Sequence, residues 1–132
     1  MKVLIMGCGR VGALVATALW SEGHQVMVMD TNAESFRRLP QDLQDTAVVG
    51  DGTLEEDLRK AGIEEADSLV AVSARDTSNL LAAQMAKHVF RIKKVVCRVN
   101  DPARYEIYTQ LGLEAVSPTQ IISDLIIQAV HR

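Results

Sequence analysis

The sequence has few of the features that mark specialised classes of protein. Its 2 cysteines in 132 residues are too few for a disulfide scaffold, so we expect reduced thiols in a cytosolic protein. It has no basic excess, because 14 Lys and Arg stand against 17 Asp and Glu, which argues against nucleic acid as a partner. No apolar run approaches the roughly 20 residues that a membrane-spanning helix needs, so we expect no direct membrane insertion.

The overall composition is that of a folded globular domain. Hydrophobic residues make up 48% and charged residues 23% of the chain, which excludes a disordered tail. A length of 132 residues is close to that of one domain, so we predict a single domain over residues 1–132.

Short apolar runs alternate with longer amphipathic stretches along the whole chain. The apolar runs predict strands over 2–6, 25–30, 46–49, 68–73, 94–99 and 114–116. The stretches between them predict helices over 10–22, 32–39, 53–62 and 77–90, and further helices from 102 and 118. Three helix starts carry capping signals: Thr53 with Glu56 as a capping box, Asp101 before a proline, and Ser117 before a proline.

Strands that are separated by helices pair in parallel through right-handed crossovers. The pattern therefore predicts an α/β fold, a Rossmann-like doubly wound parallel sheet of six strands with a C-terminal crossover helix.

A glycine motif follows the first predicted strand directly. Its sequence is Gly7-Cys8-Gly9-Arg10-Val11-Gly12, which matches the dinucleotide-binding pattern in its full strand–loop–helix context. Gly7 would permit the tight turn, Gly9 the approach of a pyrophosphate, and Gly12 the close packing of helix on strand. The free N–H groups of the helix start would bind the phosphates. The alternative is a tight turn without a ligand.

An acidic residue ends the second predicted strand. Asp30 has the spacing of the carboxylate that binds a ribose 2′-hydroxyl, and its charge disfavours the 2′-phosphate of NADP. The alternative role for Asp30 is to cap the next helix. The adjacent Thr31 is a further candidate for contact with the nucleotide.

Two side chains inside the glycine loop have competing interpretations. The guanidinium of Arg10 suits a phosphate contact, and its alternative is a solvated residue on the first helical turn. The thiol of Cys8 lies at a helix N-terminus, where its pKa can be lowered. A small residue that merely fills the turn is the favoured interpretation of Cys8.

Other candidates follow later strands and should therefore meet at the same edge of the sheet. They are Asp51, Gly52 and Thr53, then Ser73 and Ala74, and finally Arg98. Asp51 is placed to accept hydrogen bonds from an adenine or a ribose, and the small Ser73 and Ala74 allow close approach of a sugar. Each has a plain alternative as a turn or capping residue.

The sequence shows no catalytic constellation. The three histidines, His24, His88 and His131, have no metal-ligand spacing, so we expect no metal site. No serine or cysteine lies in a nucleophile elbow. We therefore expect a protein that is not an enzyme, and the alternative is the cofactor domain of an NAD-dependent oxidoreductase.

Taken together, these motifs resemble a known family. The glycine loop, Asp30, the segments 50–53 and 73–79, and the stretch from Arg98 to Pro102 are similar to the N-terminal nucleotide-binding domain of the Trk/Ktr potassium-uptake regulators. This domain is called RCK-N, KTN or TrkA-N, and the resemblance covers nearly the whole chain.

The resemblance implies a function. The glycine loop and Asp30 would hold an adenine nucleotide, NAD(H) or ATP/ADP/AMP, and Ser73, Ala74 and Arg98 would complete the pocket. Arg10 would meet the terminal phosphates of ATP. The domain would act at the cytoplasmic face of the membrane by gating an integral membrane cation channel or transporter. Family members usually continue into a smaller C-terminal ligand-binding domain.

The last predicted helix, residues 118–132, has an unusually broad apolar surface. Ile122, Leu125, Ile126 and Ala129 form one stripe of a width that can pack on the sheet. Ile121, Ile127 and Val130 widen this surface beyond one face, which predicts a homodimer built around residues 118–132, with higher rings possible. A membrane-surface helix is disfavoured because the polar face lacks lysine and arginine.

Overall fold

The computed structural model describes all residues 1–132 and contains one parallel sheet. The strands are β1 (Lys2–Met6), β2 (Gln25–Asp30), β3 (Val48–Val49), β4 (Ser68–Ala71), β5 (Lys94–Arg98) and β6 (Glu114–Val116). The helices are α1 (Arg10–Ser21), α2 (Gln41–Thr46), α3 (Glu55–Lys60), α4 (Asp76–His88), α5 (Tyr105–Gln110) and α6 (Pro118–His131). Short 3-10 turns cover Ala33–Arg38, Ile63–Glu65 and Pro102–Arg104.

The order of the strands confirms the predicted doubly wound architecture. Across the sheet they run β3-β2-β1-β4-β5-β6, all parallel. The chain reverses its direction of winding between β1 and β4, and this reversal opens a crevice at the carboxyl ends of those strands. The first strand contributes Met6 beside Ala71 at this edge. The fold thus places the loops after β1 and β4 next to each other.

The core lies in two layers on the two faces of the sheet. One layer packs α3, α4 and α5 on the sheet through buried residues such as Leu58, Ala83 and Tyr108. The other packs α1 and α2 through residues such as Ala16 and Leu43. Strand residues alternate between the layers, since successive side chains of a strand point to opposite faces.

Two local predictions are wrong. The structure contains α2, over Gln41–Thr46, where the sequence predicted only the approach to a third strand. That strand is accordingly shorter, Val48–Val49. Thr53 caps no helix, because its hydroxyl and its N–H both bond Asp51 Oδ1, at 2.7 and 2.8 Å. The helix that follows starts at Glu55 without a side-chain cap.

The two starts that combine a cap with a proline are confirmed. Asp101 Oδ1 accepts a hydrogen bond from Ala103 N–H at 3.0 Å, and Ser117 Oγ accepts one from Gln120 N–H at 3.4 Å. The proline follows each cap directly and tolerates the first helical position because it needs no N–H acceptor.

The last helix, α6, extends away from its own domain. None of its residues is buried, and the predicted stripe does not pack on the sheet: Ile122, Leu125 and Ile126 are 56–58% exposed. The sequence left the packing of this stripe open, because a helical period identifies an apolar face but not what covers it. None of the six helices has both the length and the apolar character needed to cross a membrane.

Candidate functional site

A cavity of about 550 Å³ opens at the carboxyl edge of the sheet, where the winding reverses. Its walls come from the ends of β1, β2, β4 and β5 and from the loop after β3. It is lined by Met6, Gly7, Gly9, Asp30, Thr31, Gly50, Asp51, Gly52, Thr53, Val72, Ser73, Ala74, Arg75, Ser78 and Arg98. Open α/β sheets bind their ligands in this position.

The glycine loop forms the floor of the cavity. Gly7 has a φ of +112°, a conformation that side chains rarely adopt. A Cβ on Gly12 would overlap the carbonyl oxygen of Gly7, so helix α1 can lie this close to the strand only because residue 12 has no side chain. The N–H groups of the first turn of α1 have no intrahelical acceptor. They are therefore free to bind an anionic group placed over the loop.

Asp30 ties the glycine loop to the end of β2. Its Oδ2 accepts a hydrogen bond from Cys8 N–H at 2.7 Å, and its Oδ1 accepts one from Asn32 N–H at 2.9 Å. A carboxylate oxygen has two lone pairs, so each keeps capacity for a ligand hydroxyl. Asp30 thus fixes the backbone of the glycine loop in addition to lining the cavity, a role that the sequence did not predict.

The loop after β3 places a second carboxylate in the wall. Gly50 N–H donates to Asp30 O at 3.0 Å, and Asp51 N–H donates to Asp57 Oδ2 at 2.8 Å. The hydrogen bonds from the side chain and the N–H of Thr53 lower the pKa of Asp51, and the positive charge of Arg75 acts in the same direction. Asp51 is therefore an ionised acceptor at neutral pH.

The opposite wall depends on one buried amide. Asn79 is fully buried. Its Oδ1 accepts from the N–H and the hydroxyl of Ser73, at 2.9 and 2.7 Å, and its Nδ2 donates to Ser73 O at 2.9 Å and to Arg98 O at 3.1 Å. This amide joins the ends of β4 and β5. The cavity thus combines two acids, Asp30 and Asp51, with two arginines, Arg75 and Arg98.

The structure brings ten of the fourteen predicted residues into the lining. They are Gly7, Gly9, Asp30, Thr31, Asp51, Gly52, Thr53, Ser73, Ala74 and Arg98. Cys8, Arg10, Val11 and Gly12 lie beside the cavity in the loop and first turn of α1 but do not line it. The lining also contains Gly50, Arg75 and Ser78, which lie in the segments 50–53 and 73–79 but were not named as site residues, and Met6 and Val72, which sequence reasoning missed.

The thiol of Cys8 is inert in this setting. It is fully buried, and its Sγ donates to Ser35 O at 3.4 Å. Burial, and after it the charge of Asp30, raise the pKa of Cys8. The structure therefore favours the turn-filling interpretation over a reactive thiolate.

A second cavity of similar size, about 540 Å³, lies at the amino edge of the sheet. Its walls include Trp20, Leu43 and Glu65. It contains no glycine loop and lies far from the carboxyl ends of the strands, where such folds bind their ligands. We therefore assign the candidate site to the first cavity. No group of three His, Cys, Asp or Glu side chains is arranged to hold a metal ion.

Comparison with known proteins identifies relatives of this chain. The TrkA-N domain family matches residues 3–118. The Trk system potassium uptake protein TrkA of Streptomyces coelicolor is 44% identical over 124 residues, which cover 94% of this chain and 56% of that protein. A TrkA homolog of Pyrococcus abyssi is 36% identical over 84% of this chain and 49% of that protein. The chain thus spans about half the length of these relatives.

Solved structures share the fold. The TrkA-N domain of the inner membrane protein ybaL from Escherichia coli superimposes with a TM-score of 0.84 at 20% identity, covering 97% of this chain and 95% of that one. The Kef C-terminal domain of Shewanella denitrificans in AMP-bound form gives 0.81 at 24% identity, with 99% and 80% covered. The GsuK channel bound to NAD gives 0.79 at 22% identity, with 95% and 22% covered.

The family match covers most of the chain, and the relatives exceed 30% identity over most of it. The resemblance noted from the sequence is confirmed, and the chain belongs to the TrkA-N domain family.

Proposed function

We propose that this chain is an adenine-nucleotide-binding regulatory domain of a potassium-uptake system. The observation that carries the proposal is the cavity of about 550 Å³ in which the glycine loop, two acids and two arginines meet. This combination offers donors for phosphates and acceptors for a ribose in one crevice. The names of the relatives, potassium uptake proteins, support the regulatory part.

The proposed contacts follow from the free groups of the site. The N–H groups of Arg10, Val11 and Gly12 start helix α1 and would bind the phosphates. Asp30 would accept from the ribose, since both its oxygens keep a free lone pair. Asp51, Gly52, Thr53, Ser73, Ala74 and Arg98 would surround the rest of the nucleotide. The structures of the AMP-bound Kef domain and the NAD-bound GsuK channel support NAD(H) and ATP, ADP or AMP as candidates.

A binding role accounts for the lining better than catalysis. The side chains of the cavity include no histidine, tyrosine or lysine, the groups that most often move the proton when a hydride is transferred. The partner would be an integral membrane potassium transporter or channel, and the domain would act from the cytoplasmic side as a homodimer or a larger ring. Nucleotide exchange would change the geometry of that assembly.

Thermal unfolding of the chain with ATP, ADP, AMP, NAD, NADH and NADP tests which nucleotide it binds. A ligand that binds only the folded chain raises the melting temperature by mass action. We expect at least one adenine nucleotide to do so, and NADP to have the smallest effect because Asp30 repels its 2′-phosphate. The proposal fails if none of the six raises the melting temperature at millimolar concentration.

Asp30→Asn is expected to weaken binding of the best nucleotide by roughly 1–3 kcal/mol, because a charged acceptor for the ribose is lost. Calorimetry at 25 °C measures this change. Asp67→Asn is the matched control, since Asp67 also accepts a backbone N–H, from Lys2 at 2.8 Å, but at the opposite edge of the sheet. If both variants bind the nucleotide with the affinity of the wild type, Asp30 does not contribute to nucleotide binding.

Arg10→Ala is expected to reduce affinity for ATP by roughly 10- to 100-fold and to change affinity for AMP little, because a charged contact to terminal phosphates is worth about 1.5–3 kcal/mol. AMP has no phosphate that extends beyond the first. Titration calorimetry with both nucleotides measures the two losses. Lys93→Ala, which removes an exposed cation at the amino edge, serves as the control. Equal losses for ATP and AMP would contradict the assignment.

A further inference from the structure

Every polar group of Asn100 is hydrogen-bonded. Its N–H donates to Asp76 Oδ1 at 2.6 Å, and its Nδ2 donates to the same oxygen at 2.9 Å and to Ala74 O at 3.1 Å. Its Oδ1 accepts from Arg98 Nε at 2.6 Å, and its carbonyl oxygen accepts from Thr119 Oγ1 at 3.3 Å. Asn100 therefore contacts the cavity wall on one side and helix α6 on the other.

These partners fix the orientation of the Asn100 amide. The nitrogens of Arg98 only donate, so the atom facing Nε has to be the oxygen. The carboxylate of Asp76 and the carbonyl of Ala74 only accept, so the atom facing them has to be the nitrogen. An aspartate at this position would place a second carboxylate against Asp76, and an apolar residue would leave Arg98 without its acceptor. An asparagine side chain provides both the acceptor for Arg98 and the donor for Asp76 and Ala74.

Asp76 is a rigid support for this arrangement. It is only 8% exposed, and its Oδ2 accepts from Asp101 N–H at 3.0 Å. Burial acts to raise its pKa, but the hydrogen bonds from Asn100 and Asp101, together with the charge of Arg104, lower the pKa overall. Asp76 also anchors α5, since Tyr108 Oη donates to its carbonyl at 3.0 Å. Asn100 is thus held by a fixed, ionised group.

Arg98 is held by one nitrogen and free at the other two. Its Nε is bonded to Asn100, whereas its two terminal nitrogens make no hydrogen bond or ion pair within the chain. Arg98 lines the cavity, and Asn100 does not. A guanidinium fixed in this way presents two donors to an anionic group of a ligand.

Thr119, the other partner of Asn100, lies on helix α6, which makes few contacts with the rest of the domain. Apart from the cap by Ser117, the bond from Thr119 Oγ1 to Asn100 is the only side-chain hydrogen bond between α6 and the rest of the domain. No residue of α6 is buried. A change at Asn100 therefore reaches the first turn of α6 through the hydroxyl of Thr119.

We propose that Asn100 is a positioning residue of the nucleotide site: it orients Arg98 toward the ligand and couples that side chain to the first turn of α6. When an anionic ligand engages the free nitrogens of Arg98, it immobilises the guanidinium and with it the bonded Asn100, and the first turn of α6 becomes more ordered. This inference rests on the proposed function, since it requires a nucleotide in the cavity. It assigns a role to a residue outside the lining.

A double-mutant cycle with ADP tests the positioning. Arg98→Ala is expected to lower ADP affinity by roughly 10-fold or more. Asn100→Ala should lose nearly as much, and the double variant little more than Arg98→Ala alone, because both changes remove one contact. Additive losses in a chain that binds ADP overturn this proposal alone. If the wild-type chain does not bind ADP, both the positioning role of Asn100 and the assignment of ADP to this site are overturned.

The Arg98 Nε–H resonance in NMR spectra gives a readout that needs no nucleotide. A short bond to Asn100 should shift this resonance and slow its exchange with water. Asn100→Ala should abolish both properties in a chain that is still folded, and an unchanged resonance would overturn the proposal.

Hydrogen exchange tests the coupling to α6. ADP should slow exchange of the backbone amides in the first turn of α6 in the wild type. Thr119→Val removes only the hydroxyl that reaches Asn100, so it should abolish this slowing. Because coupling is reciprocal, it should also weaken ADP binding, but by less than Arg98→Ala does. Thr109→Val is the matched control, because Thr109 Oγ1 also bonds a carbonyl, that of Tyr105 at 3.1 Å, away from the cavity. Equal slowing in both variants would refute the coupling.

Discussion

Replacing Asn79 by alanine is expected to lower the free energy of unfolding by about 3 kcal/mol, because each buried polar group left unpaired costs about 1–3 kcal/mol. The change removes four hydrogen bonds to Ser73 and Arg98 and leaves backbone groups of both without a partner. Urea unfolding measures the loss, with an unchanged denaturant dependence showing that the variant still folds to a compact state.

The same change should also weaken nucleotide binding, because Asn79 sets the distance between the two strand ends that form the wall. Asn32→Ala is the matched control. Asn32 also accepts one backbone N–H, from Glu34 at 3.0 Å, but it is exposed, so its loss should cost no more than about 1 kcal/mol. A loss for Asn79→Ala as small as that of Asn32→Ala would show that the amide is dispensable.

Combining Ile122→Glu with Ile126→Glu is expected to convert a homodimer into a monomer. In the isolated chain these two side chains are 56% and 58% exposed, and Ile121 and Leu125 beside them are 49% and 58% exposed. An apolar surface of this extent is normally covered by a partner. Removing the burial of two isoleucines costs about 3 kcal/mol or more, so the dissociation constant should rise by roughly 100-fold or more.

Light scattering and sedimentation at micromolar concentration measure the assembly. Gln128→Glu combined with His131→Glu is the matched control, because it adds the same two carboxylates to the polar side of α6, where Asp124 already lies. The control should remain a dimer. A monomeric wild type would refute the dimer, and dissociation of the control would show that charge rather than position is responsible.

The architecture was predictable because each strand and most helices carry their own local signal. Continuous apolar runs such as Lys2–Met6 and Gln25–Asp30 admit few other interpretations, and strands separated by helices allow few topologies. Helix α2 was missed because it has six residues with a single buried side chain, Leu43. So short a helix has no readable period.

The position of the site was predictable, whereas its internal bonding was not. Strand ends in a parallel sheet meet at one edge, so Asp30, Asp51, Ser73 and Arg98 were expected together. Their hydrogen bonds depend on distances between atoms, which the spacing of residues along the sequence does not determine. The hydroxyl of Thr53 donates to Asp51 Oδ1, so Thr53 does not form the predicted capping box. The amide of Asn79 joins two strand ends from within a helix, and although the sequence places Asn79 in the segment 73–79, it does not indicate these bonds.

The packing of α6 shows the limit of a periodic pattern. The spacing of Ile122, Leu125 and Ile126 correctly identified an apolar face. It did not distinguish a face that packs on the domain's own sheet from one left exposed, because both satisfy the same helical period.

Each of the two core layers contains one buried thiol. Cys8 belongs to the layer of α1 and α2, and Cys97 to the layer of α3, α4 and α5. Burial raises the pKa of Cys97 to about 12 and, together with Asp30, raises that of Cys8, so neither thiol reacts with an alkylating reagent while its layer is closed. Each face of the sheet therefore carries one cysteine whose alkylation reports local opening of the core layer on that face. The order in which Cys8 and Cys97 become labelled shows which layer opens first.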